Sequence, residues 1–110
     1  MVLCIIGGRA ITRFIEVEVR SYGRVIAKGI VDLKPTLDRI VSGQQFPHRH
    51  DGTIFKNNKG KLPPQPLSYY REYVHPTHGV NGPGPQRIIV GQGGELYYTP
   101  DHYDTFIPVN

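Results

Sequence analysis

Ten prolines and thirteen glycines punctuate a chain of 110 residues, and they limit the length of anything regular it can build. Proline removes a backbone donor and glycine frees the backbone for tight turns, so the elements between them must be short. That argues against a helix bundle. The seven tyrosines and four phenylalanines fall mostly after residue 45, and aromatic residues favour strands. The length suits one domain and not two. The expected class is α+β with an antiparallel sheet.

Residues 1–6 read as a short apolar strand or a tail, ended by Gly7-Gly8. Residues 14–19, FIEVEV, alternate apolar and acidic side chains, the period of a half-buried strand. SYGR then reads as a turn and VIAKGIV as the returning strand. A helix over 9–28 competes, because Ile11, Phe14, Ile15, Tyr22, Val25 and Ile26 also fit one helical face. Val17 and Val19 fit only the strand, and the hairpin is preferred. Residues 35–43 read as a helix opened by Pro35 and closed by Gly43, with Leu37, Ile40 and Val41 as its core stripe. Further strands are expected around 53–55, 69–74, 86–90, 95–99 and 104–108. The loop HPTHGVNGPGP at 75–85 is too rich in Gly and Pro for either element. Residues 1–30 form an N-terminal extension, a strand or hairpin packed on the domain or a linker remnant, and 31–110 form the main domain.

The net charge is +4 and the isoelectric point about 9.4, which suits a phosphate-rich partner without specifying one. All five histidines lie after residue 45, mixed with carboxylates, as an acid–base site requires. The single cysteine, Cys4, cannot form an internal disulfide and is read as a buried thiol. The apolar start MVLCIIGG is too short to span a bilayer and lacks the basic flank and cleavage site of a signal peptide. No membrane partner is expected, and a monomer is. HRH at 48–50 and HPTH at 75–78 have spacings that a metal could use, but loop histidines of this kind are usually solvated, so no metal or other cofactor is expected, and His48 to His50 could instead touch RNA.

Three residues carry the chemistry. Glu72 lies in YYREY, Arg87 in QRIIV and His102 in YYTPDHYDTF. A carboxylate, a guanidinium and an imidazole suffice to cleave a phosphodiester without a metal. The carboxylate takes a proton from a ribose 2′-hydroxyl, the imidazolium gives one to the leaving 5′-oxygen, and the guanidinium holds the charge gathered on phosphorus. Taken alone, these residues are equally a solvated strand Glu, a solvated strand Arg and a packed His.

From residue 46 to its end the chain resembles the microbial guanyl-specific ribonucleases, the family of barnase and of the Streptomyces and fungal guanyl ribonucleases. The matching stretches are Phe46-Pro47, Asp51-Gly52, Phe55, Asn57, Leu62-Pro63, YYREY at 69–73, RII.G at 87–91 and YYT.DHY.TF at 97–106. The resemblance implies a helix on a twisted antiparallel sheet with the site on the sheet's open face. It implies Glu72 as general base, His102 as general acid, Arg87 as one of two phosphate-binding arginines and Tyr103 beside the acid. Phe55, Lys56, Asn57, Asn58 and Lys59 fall in the loop that cups the base, so these and Tyr103 are the implied substrate-binding residues. The implied reaction is transphosphorylation of RNA to a 2′,3′-cyclic phosphate and then slower hydrolysis. DNA, lacking the 2′-hydroxyl, is not a substrate.

Two positions depart from that pattern. Asn58 and Lys59 stand where family members commonly carry arginine and then glutamate. The glutamate accepts from N1–H and the amino group of guanine, whereas lysine has only donors. Losing such a contact costs roughly 1–3 kcal/mol of discrimination. Relaxed or altered base preference is therefore expected, with backbone amides of 55–58 left to reach O6. Pro83 stands at the first phosphate-binding arginine, four residues before Arg87; His75, His78, Lys56, Lys59 and Arg71 are the candidate replacements. The two departures also leave open a catalytically degenerate RNA- or protein-binding module on the same fold. The N-terminal segment and the absent export signal suit a bacterial toxin domain, secreted or delivered into a target cell. Its partners would be RNA and a cognate immunity protein facing Arg87 and the lysines with acidic residues.

Overall fold

The computed structural model describes residues 2–6 and 9–110, and side chains from residue 10 onward. The reading of Cys4 as a buried thiol, and of Gly7-Gly8 as a strand end, lies outside the described residues. In chain order the elements are β1 (Val2–Ile6), β2 (Arg9–Thr12), β3 (Phe14–Ser21), β4 (Arg24–Asp32), α1 (Lys34–Ser42), β5 (Thr53–Ile54), β6 (Tyr70–Val74), β7 (Arg87–Gly91), β8 (Leu96–Thr99) and β9 (Ile107–Pro108). The last five form one antiparallel sheet in sequence order, and β1–β2 and β3–β4 are two separate antiparallel hairpins. The fold is the expected α+β arrangement. No helix among the described residues is long and apolar enough to cross a membrane.

The five-stranded sheet is two-faced because side chains alternate along each strand. Glu72 stands opposite Ile89, and Ile89 opposite Tyr97; Val74 stands opposite Arg87, and Arg87 opposite Thr99. These residues share one face with Tyr70. The other face carries Ile88, Leu96 and Tyr98, which are fully buried with Leu33, Leu37, Ile11 and Val109 in the main core. A second cluster on the first face joins Leu62, Tyr70 and Ile89 to Phe55, Tyr69, Tyr97, Tyr103 and Phe106. It is an aromatic floor rather than a core, since five of its eight members are only partly buried.

The helix ends on Gly43 in the left-handed conformation (φ 77°), which lets its amide reach the carbonyl of Arg39. Leu37 is buried and Ile40 half-buried, but Val41 is 70% exposed, contrary to the expected stripe. Thr36 and Arg39 are buried instead and turn the inner face away from Val41. Arg39 donates to the Asp51 carboxylate at 2.9 Å and to the carbonyl of Val74, and its guanidinium stacks over Phe46. Asp51 also accepts from the amides of Phe46 and Val74, each at 2.8 Å. Helix, β6 and the loop between them are thus tied by one buried ion pair with further hydrogen bonds to both partners.

The strand expected at 104–108 reduces to Ile107–Pro108. Residues before it are taken up by a turn built on side chains, described below. The competing helix over 9–28 does not form; Val19 is 1% exposed in the β3–β4 hairpin, as its alternation requires. This hairpin and β2 pack on the domain: Thr12 donates its amide to Val109, Arg20 to Pro100 and Leu33 to Arg13.

His75 is not a solvated loop histidine. It is 5% exposed, with Nδ1 2.6 Å from the Thr36 hydroxyl and its ring edge-on to Tyr98. Burial, reinforced by the Arg39 charge, holds its pKa down to about 4 from 6.5. The unfolded chain takes up a proton below about pH 6.5 while the folded one does not, so folding loses about 1.4 kcal/mol per pH unit until about pH 4. Urea unfolding should show the parent losing about 3 kcal/mol more than His75→Gln between pH 7 and pH 4. Parallel stability curves for the two proteins would contradict this account.

Candidate active site

A cavity of about 570 Å3 opens on the face of the sheet away from the helix, lined by residues that include Glu72, His102, Tyr103, Phe55 and His50. Its back wall is the edge of the aromatic floor, where Phe55 stacks on Tyr103 at 5.5 Å and packs against Phe106 at 5.7 Å. Phe106 also lines the cavity.

Glu72 reaches the cavity because strand alternation points it there, between two residues that face the other way. It is 7% exposed. Burial pushes its carboxyl above the usual range, opposed by a hydrogen bond from Tyr103 and by the charges of His50 and Arg87. The Tyr103 hydroxyl donates to Glu72 Oε1. Burial and that bond together raise the Tyr103 phenol, which stays protonated as a donor.

Arg87 lies beneath, not in, the cavity. It is 2% exposed, with Nε 3.9 Å from Glu72 Oε1 and its guanidinium 5.7 Å from the centre of the Tyr103 ring. One terminal nitrogen donates to the carbonyls of Gly84 and Gln86 at 2.7 and 2.8 Å, which fixes the group's orientation. Nε is buried without a hydrogen-bond partner. An unbonded buried N–H costs free energy, and a cationic one beside a cavity is an anion-binding feature.

His102 is exposed and sits in a turn held by side chains. Thr99 Oγ1 donates to Asp101 at 3.0 Å and accepts from the amide of Tyr103 at 3.0 Å, and the amide of Thr105 donates to Asp101 at 2.8 Å. The His102 amide donates to the carbonyl of Pro85 at 2.9 Å. His102 and Tyr103 both have positive φ, 58° and 74°, a conformation that side chains other than glycine resist. The Thr99–Asp101 bonds hold the strained pair in place. Burial and the Arg87 charge depress the His102 imidazole below its ordinary value, with Asp104 opposing.

The structure brings Glu72, His102, Tyr103, Phe55, Lys56, Asn57, Asn58 and Lys59 to one cavity, with Arg87 under it. It reassigns the candidates for the cation missing at Pro83. His75 is buried on the helix side. His78 lines a separate pocket beside β4. Arg71 points to the opposite face from Glu72 and donates to the carbonyl of Gly52 at 3.1 Å. His50, expected as a loop histidine that could touch RNA, lines the cavity, and its charge acts on both Glu72 and His102. His50 directly precedes Asp51-Gly52, and the Gly52 amide bonds the carbonyl of Glu72 at 2.7 Å, a tertiary contact that the sequence does not show.

The base-side loop is also altered from expectation. Asn57 is spent on structure: its amide group donates to the carbonyl of Leu62 at 2.9 Å and accepts from the Leu62 amide at 3.1 Å. The Phe55 amide is taken by the carbonyl of Tyr70 at 2.9 Å, so it is not among the amides left to reach a base.

A model of the family described as ribonuclease matches residues 31–110. Guanyl-specific ribonuclease St of Saccharopolyspora erythraea is 41% identical over 81 residues, 70% of this chain and 80% of that one. Guanyl-specific ribonuclease Sa of Kitasatospora aureofaciens is 46% identical over 72 residues, 64% of this chain and 75% of that one. Among solved structures, ribonuclease Sa2, described in complexes with mononucleotides, superimposes with a TM-score of 0.67 at 36% identity, covering 70% of this chain and 80% of that one. The chain therefore belongs to the ribonuclease family, as a microbial guanyl-specific ribonuclease relative.

Proposed function

We propose that this endoribonuclease cleaves single-stranded RNA by transphosphorylation, with Glu72 as general base and His102 as general acid. The observation that carries the reading is the meeting of a buried carboxylate and an exposed imidazole in one cavity, above a guanidinium with an unbonded Nε. The 2′-oxygen attacks phosphorus as Glu72 takes its proton. The bond from phosphorus to the 5′-oxygen breaks as His102 protonates the departing oxygen. Water then opens the 2′,3′-cyclic phosphate with the two residues in exchanged roles. Arg87 faces the phosphoryl oxygens from below, and Tyr103 holds Glu72 in position. His50 supplies the second cation in place of an arginine at Pro83.

Neither step asks for a metal or another cofactor. RNA should therefore be degraded in EDTA, and Glu72→Ala and His102→Ala should each lose at least about 100-fold in rate. The pH profile of kcat/KM should be a bell. Its acidic limb lies above 4.5, since Glu72 is raised, and its basic limb below 6.5, since His102 is lowered. RNA left intact by the parent would favour the other reading, a degenerate binding module, which Pro83 and Lys59 suggest. Full activity in either variant would remove the assigned roles.

Base preference is the second part of the proposal. Lys59 replaces an acceptor with a donor, and Asn57 is committed to Leu62, so nothing in the loop's side chains but the Asn58 amide oxygen can accept from guanine's amino group. Guanosine and inosine differ there by that amino group alone. GpA and IpA should be cleaved with kcat/KM within about threefold, whereas a strict reader of the amino group would separate them by the roughly 1–3 kcal/mol of a base contact.

The biological setting we infer is a bacterial toxin domain acting outside the producing cell, neutralised by an acidic inhibitor protein. In this reading residues 1–30 are an addition to the family domain at 31–110. The support is the strand-rich segment ahead of the family match and the lysines around the cavity, which suit a carboxylate-rich partner. Growth arrest on expression of the parent in bacteria, absent with Glu72→Ala, is the expected result; normal growth with both would count against it.

A further inference from the structure

The loop from Lys56 to Lys61 borders the cavity as a row of donors. Lys56, Lys59 and Lys61 all line the space that holds Glu72 and His102. The loop carrying them is stiff. Besides the two bonds from Asn57 to Leu62, the Gly60 amide donates to the carbonyl of Asn57 at 2.9 Å, and Leu62 is 3% exposed in the aromatic floor. Asn57 and Gly60 both take the left-handed turn conformation, φ 56° and 64°. The lysines thus stand on a fixed backbone, which lowers the ordering cost of binding an anion between them.

What faces them is weak. Lys59 Nζ lies 3.9 Å from Asp104 Oδ1, with the two side chains 69% and 70% exposed. A pair so open to water contributes little. Lys61 Nζ donates to the backbone carbonyl of Asp104 at 2.5 Å, a neutral acceptor. Lys56 is exposed and makes no ion pair among the described residues. Asp104 therefore gathers two lysines at the cavity's edge, Lys59 by its solvated carboxylate and Lys61 by its backbone carbonyl, without neutralising the three.

We propose that this loop is a subsite for a second RNA phosphate, adjacent along the strand to the scissile one, held by Lys59 and Lys61 with Lys56 as a supporting charge. The proposal rests on the ribonuclease reading above and adds the ligand of the loop that lacks base-reading acceptors. Asp104 holds the lysines together in the free protein and yields to the phosphate. The group could be the 5′-phosphate of the nucleotide in the base site or the 3′-phosphate of the leaving nucleotide; the chemistry is the same.

Cleavage of GpA, pGpA and GpAp at low salt distinguishes the two. One added phosphate should raise kcat/KM about tenfold in the parent, as a charge-assisted contact does. The gain should fall below about twofold in Lys59→Ala/Lys61→Ala and lower still in Lys59→Glu/Lys61→Ala. On longer RNA the logarithmic salt slope of binding should drop by about 1 per lysine removed. These side chains are exposed, and an unchanged unfolding midpoint confirms that each variant is folded. A parent indifferent to both added phosphates, or a gain that survives in the double variant, overturns the subsite while GpA cleavage upholds the ribonuclease reading. Failure to cleave any of the three overturns that reading and the subsite with it.

Discussion

The buried pair of Arg39 and Asp51 governs where everything else lies. Arg39 comes from the helix, and Asp51 from the loop that leads into the sheet. Both are held by the backbone at Val74, Arg39 through its carbonyl and Asp51 through its amide. A buried charge left without its partner costs several kcal/mol, so neither residue can be removed alone. The consequence reaches the other side of the sheet. Gly52 follows Asp51 and bonds the carbonyl of Glu72, while His50 precedes it and enters the cavity. The pair that docks the helix thereby also fixes the place of Glu72 and of the His50 imidazole beside it.

The division of labour between the sheet's two faces follows from strand alternation. Ile88, Leu96 and Tyr98 bury one face against the helix and hairpins. The face bearing Glu72, Ile89 and Tyr97 cannot be covered without losing the cavity, and aromatic rings shield it in part. The cost of a buried carboxylate is offset by Tyr103, Arg87 and His50, each reducing a shift that burial alone would impose. His102 is more exposed than Glu72, yet burial and the Arg87 charge still lower its imidazole. His102 lies in a turn, where Thr99 and Asp101 hold a conformation that no regular strand offers.

Much of this was legible in the sequence. Period-2 alternation in FIEVEV gave the hairpin, and Pro35 with Gly43 bounded the helix, because those signals are local. The candidate residues Glu72, Arg87 and His102 are joined in sequence only by resemblance, since they are too far apart for spacing to connect them. What was misread depended on tertiary contacts. Val41 has the right spacing for the core, but Arg39 is pulled inward by Asp51. His75 sits in a run of Gly and Pro, yet Thr36 and Tyr98 enclose it. Residues 104–106 have strand composition, but Asp101 binds Thr105 and bends the chain. Of His48 and His50, only His50 lines the cavity, and nothing in HRH tells the two apart.

Proton transfer by Glu72 and His102 between a 2′-hydroxyl and a 5′-oxygen, as proposed, passes through a cyclic intermediate. Phosphorus NMR of an oligoribonucleotide digested in EDTA observes that intermediate directly. A 2′,3′-cyclic phosphate resonance should appear first and then decay into a 3′-monophosphate. Products bearing 5′-phosphates, or 3′-monophosphates formed with no cyclic species at any time, would contradict it.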